Sequence, residues 1–405
     1  MRARGFTLIE LMIGVTVSML VIGTVSAIFI GQQRALQSLD LSREASNTAR
    51  DAMLSMQETL GRAGYGVDPR YAFDFRNYGC PAWSAAAPCR DSVTGPDEIV
   101  FVERDPGYYW AGTPSSPVQG CDPAAPCTGH AWRIRAFDAT HVTVAAQPGD
   151  TFLQGQIVLM TCQRGVNGVM GTVRTTATAA GAGDLQLNLG TAVAGNPYAT
   201  NIATGHDACF DGLQGTSLFL VNRYRYHVAT VSGEPWLMLD RGLDFNQNGV
   251  TPEPGAGTPD LDDEIPVARG VEGLQIAYLF QPGTTGISAP DLGGNWVVGD
   301  VAGSLEEPDP AAAAPPQGAS DTDPSRFDTH PANIRGVRIR LTVRSLRKDQ
   351  IHAAGWQGDP PVPAGAGAIE NRNDFTAVQP GLFRRYFTSV VASTPNLRSK
   401  NPFIF

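Results

Sequence analysis

Lysine is almost absent from this 405-residue chain, and charged residues of all kinds make up only 17% of it. Lys348 and Lys400 are the only lysines, and the formal net charge is −9. Nucleic-acid-binding proteins normally present a strongly basic face, so this charge balance argues against a dedicated nucleic-acid binder. We therefore expect no nucleic acid among the partners.

Signatures of catalysis are also missing. The chain has no G-x-S-x-G elbow, no H-E-x-x-H, no P-loop and no complete G-x-G-x-x-G. Its histidines are scattered without metal-ligand spacing, at positions 130, 141, 206, 227, 330 and 352. We therefore expect that the chain is not an enzyme and requires no cofactor.

The cysteines form an even set without a C-x-x-C pair or zinc-ligand spacing. They are Cys80, Cys89, Cys121, Cys127, Cys162 and Cys209. In an exported chain such a set favours disulfides. Proximity in sequence suggests the pairs 80–89, 121–127 and 162–209, which is one of many connectivities; a free reactive thiol is the alternative for any of them.

One long apolar run stands at the N-terminus, from Phe6 to Ile30, and Glu10 is its only charge. The run is long enough to cross a bilayer. Arg2 and Arg4 precede it, which places the N-terminus in the cytoplasm and the rest of the chain outside. A cleaved secretory signal is the alternative, but the basic leader is very short and no small-x-small site follows. A lone carboxylate in such a span is costly and usually marks function.

Helical periodicity continues beyond the apolar run without a proline. Apolar residues recur at steps of three and four, at Leu41, Ala45, Ala49, Ala52, Met56 and Leu60, with Met53 beside them. The pattern predicts one helix from about Phe6 to about Arg62, stopped by the glycines that follow. Its first half suits lipid or other helices, and its second half suits packing against a globular head.

The remaining sequence predicts a β-rich head. Short runs with β-branched and aromatic residues are bounded by Gly, Pro, Asp or Asn, and a hairpin is predicted around Ser232–Glu234. In Val337–Arg344 apolar residues alternate with polar ones, so one face of that strand should cover the long helix. Residues 306–333 are rich in Pro, Ala and Asp and predict a flexible insertion.

A candidate calcium loop follows one of these runs. Asp244, Asn246 and Asn248 supply oxygen ligands at the first, third and fifth positions, and Gly249 follows. Position twelve is Gly255 instead of a bidentate glutamate, so an Asx-rich turn is the alternative. Calcium is the one candidate cofactor.

The segment "RARGFTLIELMIG" resembles the processing signal of type IV pilins and pseudopilins. In that family a short basic leader ends in glycine, phenylalanine follows, and glutamate stands five residues into the mature chain. The resemblance implies that a prepilin peptidase cuts after Gly5 and methylates the amine of Phe6. It also implies that Glu10 pairs with the N-terminal amine of a neighbouring subunit, which would offset much of the cost of a buried charge. A tolerated carboxylate near the cytoplasmic face of the membrane is the alternative.

Weaker matches are spread along the chain. "LGRAGYG" at Leu60–Gly66, "EIPVARGVEGLQIAYLF" at Glu264–Phe280, "NIRGVRIRLTVRS" and "RRYFTSVVASTPNLRS" resemble segments of large minor pilins of the PilW type. J-type pseudopilins of type II secretion share many of these features.

The resemblance implies a pilin-like α+β fold, in which a long N-terminal helix packs on a large antiparallel β-rich head. The expected organisation is a leader (1–5), a transmembrane or assembly half-helix (6–30), an amphipathic half-helix (31–64) and a head (65–405). The head would lie in the periplasm while the chain is in the inner membrane, and then on the pilus fibre or cell surface.

The expected function is that of a minor pilin that primes type IV pilus assembly at or near the tip. The expected partners are prepilin peptidase, other minor pilins, the major pilin and a large tip adhesin. A pseudopilin of type II secretion, and a tip adhesin or surface-sensing module, are the alternatives.

Replacing the residue before the cleavage junction should block maturation. We expect Gly5→Ala, or a bulkier residue, to leave an uncut precursor in the membrane fraction, because the peptidase would no longer accept the side chain before the cut. Gel mobility and N-terminal sequencing of the recovered protein measure the outcome. A variant that matures normally would contradict the signal assignment.

Overall fold

A computed structural model describes residues 7–67, 72–73, 95–104, 132–146, 150, 152, 154–162, 169–173, 175–181, 183–189, 216–243, 261–280, 296–298, 334–347, 383 and 385–398. Within these residues one very long helix and a short C-terminal one accompany two antiparallel sheets. The helices are α1 (Leu8–Leu60) and α2 (Pro395–Arg398). The strands are β1 (Ile99–Arg104), β2 (Trp132–Phe137), β3 (His141–Ala145), β4 (Ile157–Cys162), β5 (Val169–Thr172), β6 (Thr175–Ala179), β7 (Asp184–Asn188), β8 (Thr216–Val231), β9 (Glu234–Asp240), β10 (Ile265–Arg269), β11 (Val271–Phe280), β12 (Trp296–Val298), β13 (Ile334–Arg344) and β14 (Arg385–Ser393).

Helix α1 runs without interruption for 53 residues, which confirms the predicted continuous helix. At 1.5 Å per residue it is about 80 Å long. Its buried residues begin only at Ala45, and they are Ala45, Ala49, Ala52, Met53, Met56 and Leu60. They confirm the predicted stripe except at Leu41, which is half-buried. Beyond Gly61 the chain turns away, with Gly64 and Gly66 in left-handed conformations that favour glycine.

Strand β8 is the central strand of the larger, ten-stranded sheet, where it pairs with β1, β2, β4 and β9. Val221 pairs with both Ile157 of β4 and Arg104 of β1, and Arg225 pairs with both Asp240 of β9 and Val100 of β1. Since β1 occupies one edge of β8 at both points, β4 and β9 share the opposite edge. The predicted hairpin is present as a two-residue turn at Ser232 and Gly233, both with positive φ, which joins β8 to β9.

The smaller sheet has the strand order β12-β11-β13-β14. The predicted alternation in β13 is confirmed, because Val337, Ile339, Leu341 and Val343 are all buried. They share one hydrophobic core with the buried stripe of α1 and with residues of both sheets. The helix therefore lies against the two sheets together.

Gly270 joins the two sheets. It separates β10 of the larger sheet from β11 of the smaller one and has a φ of +83°. Its N–H donates to the carbonyl oxygen of Pro235 in β9 at 2.7 Å, and its own carbonyl accepts from Arg344 in β13 at 2.8 Å. The division of the head into two sheets was not part of the prediction from sequence.

A second hydrophobic core lies within the larger sheet. Its buried members come from β2, β3, β4, β7, the start of β8 and nearby residues, and none comes from α1. Trp132 is its largest member, packed against Phe152 and donating its indole N–H to Asp150 at 2.8 Å. The head therefore contains a unit that does not need the helix to complete its core.

One face of β8 carries a buried ionic network. Arg225 donates to Glu98 at 2.6 Å and to Asp240 at 3.0 Å, and Arg223 lies 3.3 Å from the same Asp240 carboxylate. Burial would raise the pKa of Asp240, but the two guanidinium groups and the N–H of Gly242 outweigh it and hold this pKa at about 2.

A methyl group at residue 270 should destabilise the head. In Gly270→Ala the new Cβ would lie 2.6 Å from the carbonyl oxygen of Arg344 at a left-handed φ. We expect the free energy of unfolding to fall by about 3 kcal/mol, because strain and a clash act together. Gly233→Ala is the matched control, since φ there is +80° but no atom lies within 4 Å of the new Cβ. It should cost only about 1 kcal/mol. Chemical unfolding of the full chain in detergent, followed by tryptophan fluorescence, measures both; equal losses would contradict this account.

The ionic network predicts a loss of stability in acid. The folded state holds the pKa of Asp240 at about 2, below its ordinary value of 3.8. The stabilisation is therefore complete above about pH 4 and disappears as the pH falls towards 2, a loss of about 2 kcal/mol. Carboxylates titrate roughly between pH 6 and 2. As the pH is lowered through this range, the free energy of unfolding should fall more steeply for the wild type than for Asp240→Asn. The exposed-site variant Asp262→Asn should keep the wild-type slope, and identical slopes for all three proteins would refute the assignment.

Candidate assembly surface

The N-terminal part of α1 is an apolar rod that touches nothing else in the described chain. Every residue from Thr7 to Gln37 is exposed, including Leu8, Ile9, Leu11, Met12, Ile13, Val15, Val17, Met19, Leu20, Val21, Ile22, Val25, Ile28, Phe29 and Ile30. We call Leu8–Ile30 the assembly surface. It is apolar around the whole helix, which is typical of a segment surrounded by lipid or by other helices. Its mean hydropathy of 2.3 over the most apolar window and its length suffice for a membrane span.

The two threonine hydroxyls in the assembly surface are satisfied within the helix. Thr16 donates to the carbonyl oxygens of Met12 and Ile13, at 3.0 and 2.9 Å, and Thr24 donates to Val21 at 2.8 Å. An unsatisfied hydroxyl would be costly in hydrocarbon, so these contacts make the threonines compatible with an apolar environment.

Glu10 is held at the start of α1 by a capping box. Thr7 is the N-cap residue, and its Oγ1 accepts from the backbone N–H of Glu10 at 3.3 Å. In return Glu10 Oε2 accepts from the Thr7 N–H at 3.0 Å and from the Thr7 hydroxyl at 2.9 Å. The carboxylate thus satisfies orphan donors of the first turn and lies at the positive end of the helix dipole.

The sequence contained a signal for this arrangement. Thr7-x-x-Glu10 directly before an apolar run is the pattern of a capping box. Pairing with another subunit was predicted for Glu10, and the capping role of Thr7 was overlooked. Glu10 Oε1, by contrast, accepts no hydrogen bond from any residue in the described ranges. That oxygen stays available to a donor from a second chain.

Most other predicted site residues fall outside the described part of the chain. Gly5, Phe6, Asp244, Asn246 and Asn248 do, as do the cysteines at 80, 89, 121, 127 and 209. Cys162 ends β4, where its backbone pairs with Thr216. The cleavage junction, the calcium loop and the disulfides therefore stay predictions. Among the described residues, no three His, Cys, Asp or Glu side chains form a metal-binding group.

The two described histidines make local contacts. His227 is buried with its Nε2 3.0 Å from Glu264 Oε1, and His141 lies 3.3 Å from Asp138. The first pair connects β8 to the start of β10 across the intervening β9, and the second closes the turn between β2 and β3. In the part of the chain that the structure describes, neither pair belongs to a group of three His, Cys, Asp or Glu side chains that could hold a metal ion.

Comparison with known proteins finds a family motif at the N-terminus. Residues 1–26 match the prokaryotic N-terminal methylation motif. No curated protein matches the chain. A solved type IV-like pilin from Thermus thermophilus is similar over 60% of this chain and 87% of its own, at 15% identity and a TM-score of 0.19. That TM-score is too low to carry an argument, so the motif and the architecture of the chain itself bear the assignment.

The matched motif ends within the assembly surface and includes Gly5, Phe6, Thr7 and Glu10. Together with the long apolar helix and the antiparallel head, this motif supports the interpretation that the chain is a type IV pilin or pseudopilin. Such proteins are structural and not enzymes. The motif also implies processing by a prepilin peptidase, anchoring in a membrane and assembly with other pilins.

Proposed function

We propose that this chain, which carries the methylation motif at the start of a long exposed helix, is a PilW-type minor pilin that primes type IV pilus assembly. The observation that carries the proposal is the assembly surface with Glu10 fixed at its first turn. This rod is apolar on all sides, and no other residue that the structure describes covers it. It needs lipid before assembly and other helices of the same kind afterwards.

The charge of Glu10 gives the rod a defined position along its neighbours. Thr7 occupies Oε2 and leaves Oε1 for a donor from outside the chain. After cleavage at Gly5 the new amine of Phe6 on another subunit is a cation of suitable size. A charge left unpaired among apolar helices costs several kcal/mol, so only the register that pairs it is favourable.

The construction of the head supports a place at or near the tip. Part of the head packs on α1, while the second core around Trp132 contains no residue of the helix. This additional unit increases the bulk of the head around a narrow rod. Steric crowding by neighbouring subunits is smallest at the end of a filament, where a few copies could initiate assembly.

A pseudopilin of type II secretion uses the same helix chemistry and is the second candidate. Loss of pilus fibres without loss of secreted enzymes, after deletion of the gene, would favour the pilus, and the reverse result would favour secretion. A tip adhesin is compatible with the first proposal, since it concerns what the head binds after assembly.

Three variants separate the charge of Glu10 from its role as a cap. Glu10→Gln removes the charge, and a glutamine can still complete a capping box. Thr7→Val removes the hydroxyl and keeps the charge, and Glu10→Ala removes both functions. If intersubunit charge pairing governs assembly, Glu10→Gln and Glu10→Ala should both reduce incorporation by about tenfold or more. Thr7→Val should have a smaller effect.

The measurement is the amount of mature subunit in sheared, purified pili relative to the membrane fraction, with cleavage checked on the same gel. Near-normal cleavage in all three variants is the internal control. Wild-type incorporation of Glu10→Gln, together with a severe defect in Thr7→Val, would show that capping alone matters. Wild-type piliation with Glu10→Ala would refute the pairing role.

A further inference from the structure

Beyond the assembly surface, α1 has a second exposed side, which lies opposite the side that packs on the sheets. Leu36 and Leu54 are about five turns apart, so they lie on one line along the helix. Ala45, the first buried residue, lies midway between them along the helix and about half a turn around it. The two leucines are 61% and 56% exposed, and Leu39, close to the same line, is 53% exposed. The helix therefore keeps apolar side chains uncovered on the side that faces away from its own head.

Charged side chains lie on both flanks of this line of leucines, with one sign on each flank. At about 100° per residue, Arg43 and Arg50 lie about 20–40° to one side of the line. Asp40, Asp51 and Glu58 lie about 40–60° to the other side. All five side chains are exposed. We call the three leucines and these five charged residues the outer face of α1.

The charges of the outer face do not form ion pairs within the described part of the chain. Opposite charges three or four residues apart stabilise a single helix, and of this set only Asp40 and Arg43 have that spacing. None of the five side chains forms an ion pair with a residue that the structure describes. The separation of the charges by sign is therefore not explained by contacts within one chain.

The outer face is complementary to a parallel copy of itself. When two parallel helices pack along apolar lines, as in a coiled coil, each flank of one helix meets the opposite flank of the other. The arginines of each copy then meet the carboxylates of the second copy. In an antiparallel pair equal flanks meet, so arginines face arginines and carboxylates face carboxylates. The charges therefore select the parallel orientation.

The register of such a pair follows from the positions of the charges along the axis. In a parallel pair without axial shift, Arg50 lies about 1.5 Å along the axis from Asp51 of the second copy. Arg43 lies about 4.5 Å from Asp40 of the second copy in the same direction. Both offsets are well within the reach of an arginine side chain, so two charge pairs form on each side of the contact.

The membrane and the head both permit this arrangement. Copies that enter the membrane with their basic leaders on the same side have parallel helices. The head packs on the stripe of α1 that begins at Ala45, on the side opposite the leucines. Two copies can therefore join their outer faces with their heads directed apart. The outer face also continues along the same helix from the assembly surface, so one contact extends into the other.

We propose that the outer face of α1 binds the outer face of a second copy of this chain in parallel. The leucines form the apolar contact, and the arginines of each copy pair with the carboxylates of the other. This inference rests on the proposed function, in which subunits stand side by side with parallel helices, and it names one partner of the subunit. Exposed ion pairs are individually weak, so they determine orientation and choice of partner more than affinity.

The test measures the association of two tagged copies in a membrane that contains no pilus machinery. The full chain is expressed with two different C-terminal tags and extracted in an uncharged detergent, and the recovery of one tag with the other is measured. We expect Arg43→Glu/Arg50→Glu to recover its own second copy about fivefold less than the wild type does, because like charges then meet on both flanks. Asp40→Arg/Asp51→Arg should show the same loss.

Co-expression of the two double variants should restore recovery to the wild-type level, because the glutamates of one copy then meet the arginines of the other. Restoration excludes misfolding as the cause of the losses, since each copy still carries its own changes. Arg133→Glu/Arg347→Glu is the matched control, with the same change of net charge at exposed positions of the head. It should recover its second copy as the wild type does.

Four results would each overturn the inference. These are wild-type copies that do not recover each other, unchanged recovery in both double variants, no restoration in the mixture, and an equal loss in the control. None of them affects the outcome for the Glu10 variants, which is measured in pili. Conversely, normal pili with Glu10→Ala would refute the proposed pairing of Glu10 and leave the recovery of the tags unchanged.

Discussion

The exposed apolar surface of α1 is the constraint on which the rest of the structure depends. About 23 residues at the start of the helix, from Leu8 to Ile30, are not covered by any other described part of the chain. At about 25 cal/mol per Å² of apolar surface, leaving such a rod in water is costly, so lipid or a bundle of helices is the favourable surrounding. The head accordingly takes only the far part of the helix, from Ala45 onwards, and leaves the near part free for partners.

The two halves of α1 differ in the size of their side chains. Where the helix meets the head, the buried stripe begins with three alanines, which let the helix approach the sheets closely. Methionine and leucine follow towards Leu60 and fill the wider space near the end of the helix. The partner-facing half has large aliphatic residues instead, and its two interior threonines turn their hydroxyls back to the helix carbonyls. Each half is therefore suited to a different surrounding.

The elements that depend on a local sequence pattern were predicted correctly. The helix and its buried stripe, the hairpin at Ser232 and the alternation in β13 follow from local patterns, because each burial pattern repeats within one element. The division into two sheets could not be predicted this way. It depends on one residue, Gly270, whose N–H and carbonyl reach different sheets, and on pairing between distant segments. Thr7 was missed although its capping signal was present.

In the filament that we propose, Glu10 links the folding of one chain to its association with others. A carboxylate that served only an intersubunit contact would be uncompensated while the chain waits in the membrane. Here Thr7 and the helix N-terminus stabilise it beforehand through Oε2. The first turn is therefore ordered before a partner arrives, and less conformational entropy is lost when it does. The same arrangement keeps the charge in place, so a neighbour that offers no cation at this depth meets an unpaired anion. Pre-organisation and selection of register thus follow from a single side chain, provided that its second oxygen stays open to the partner.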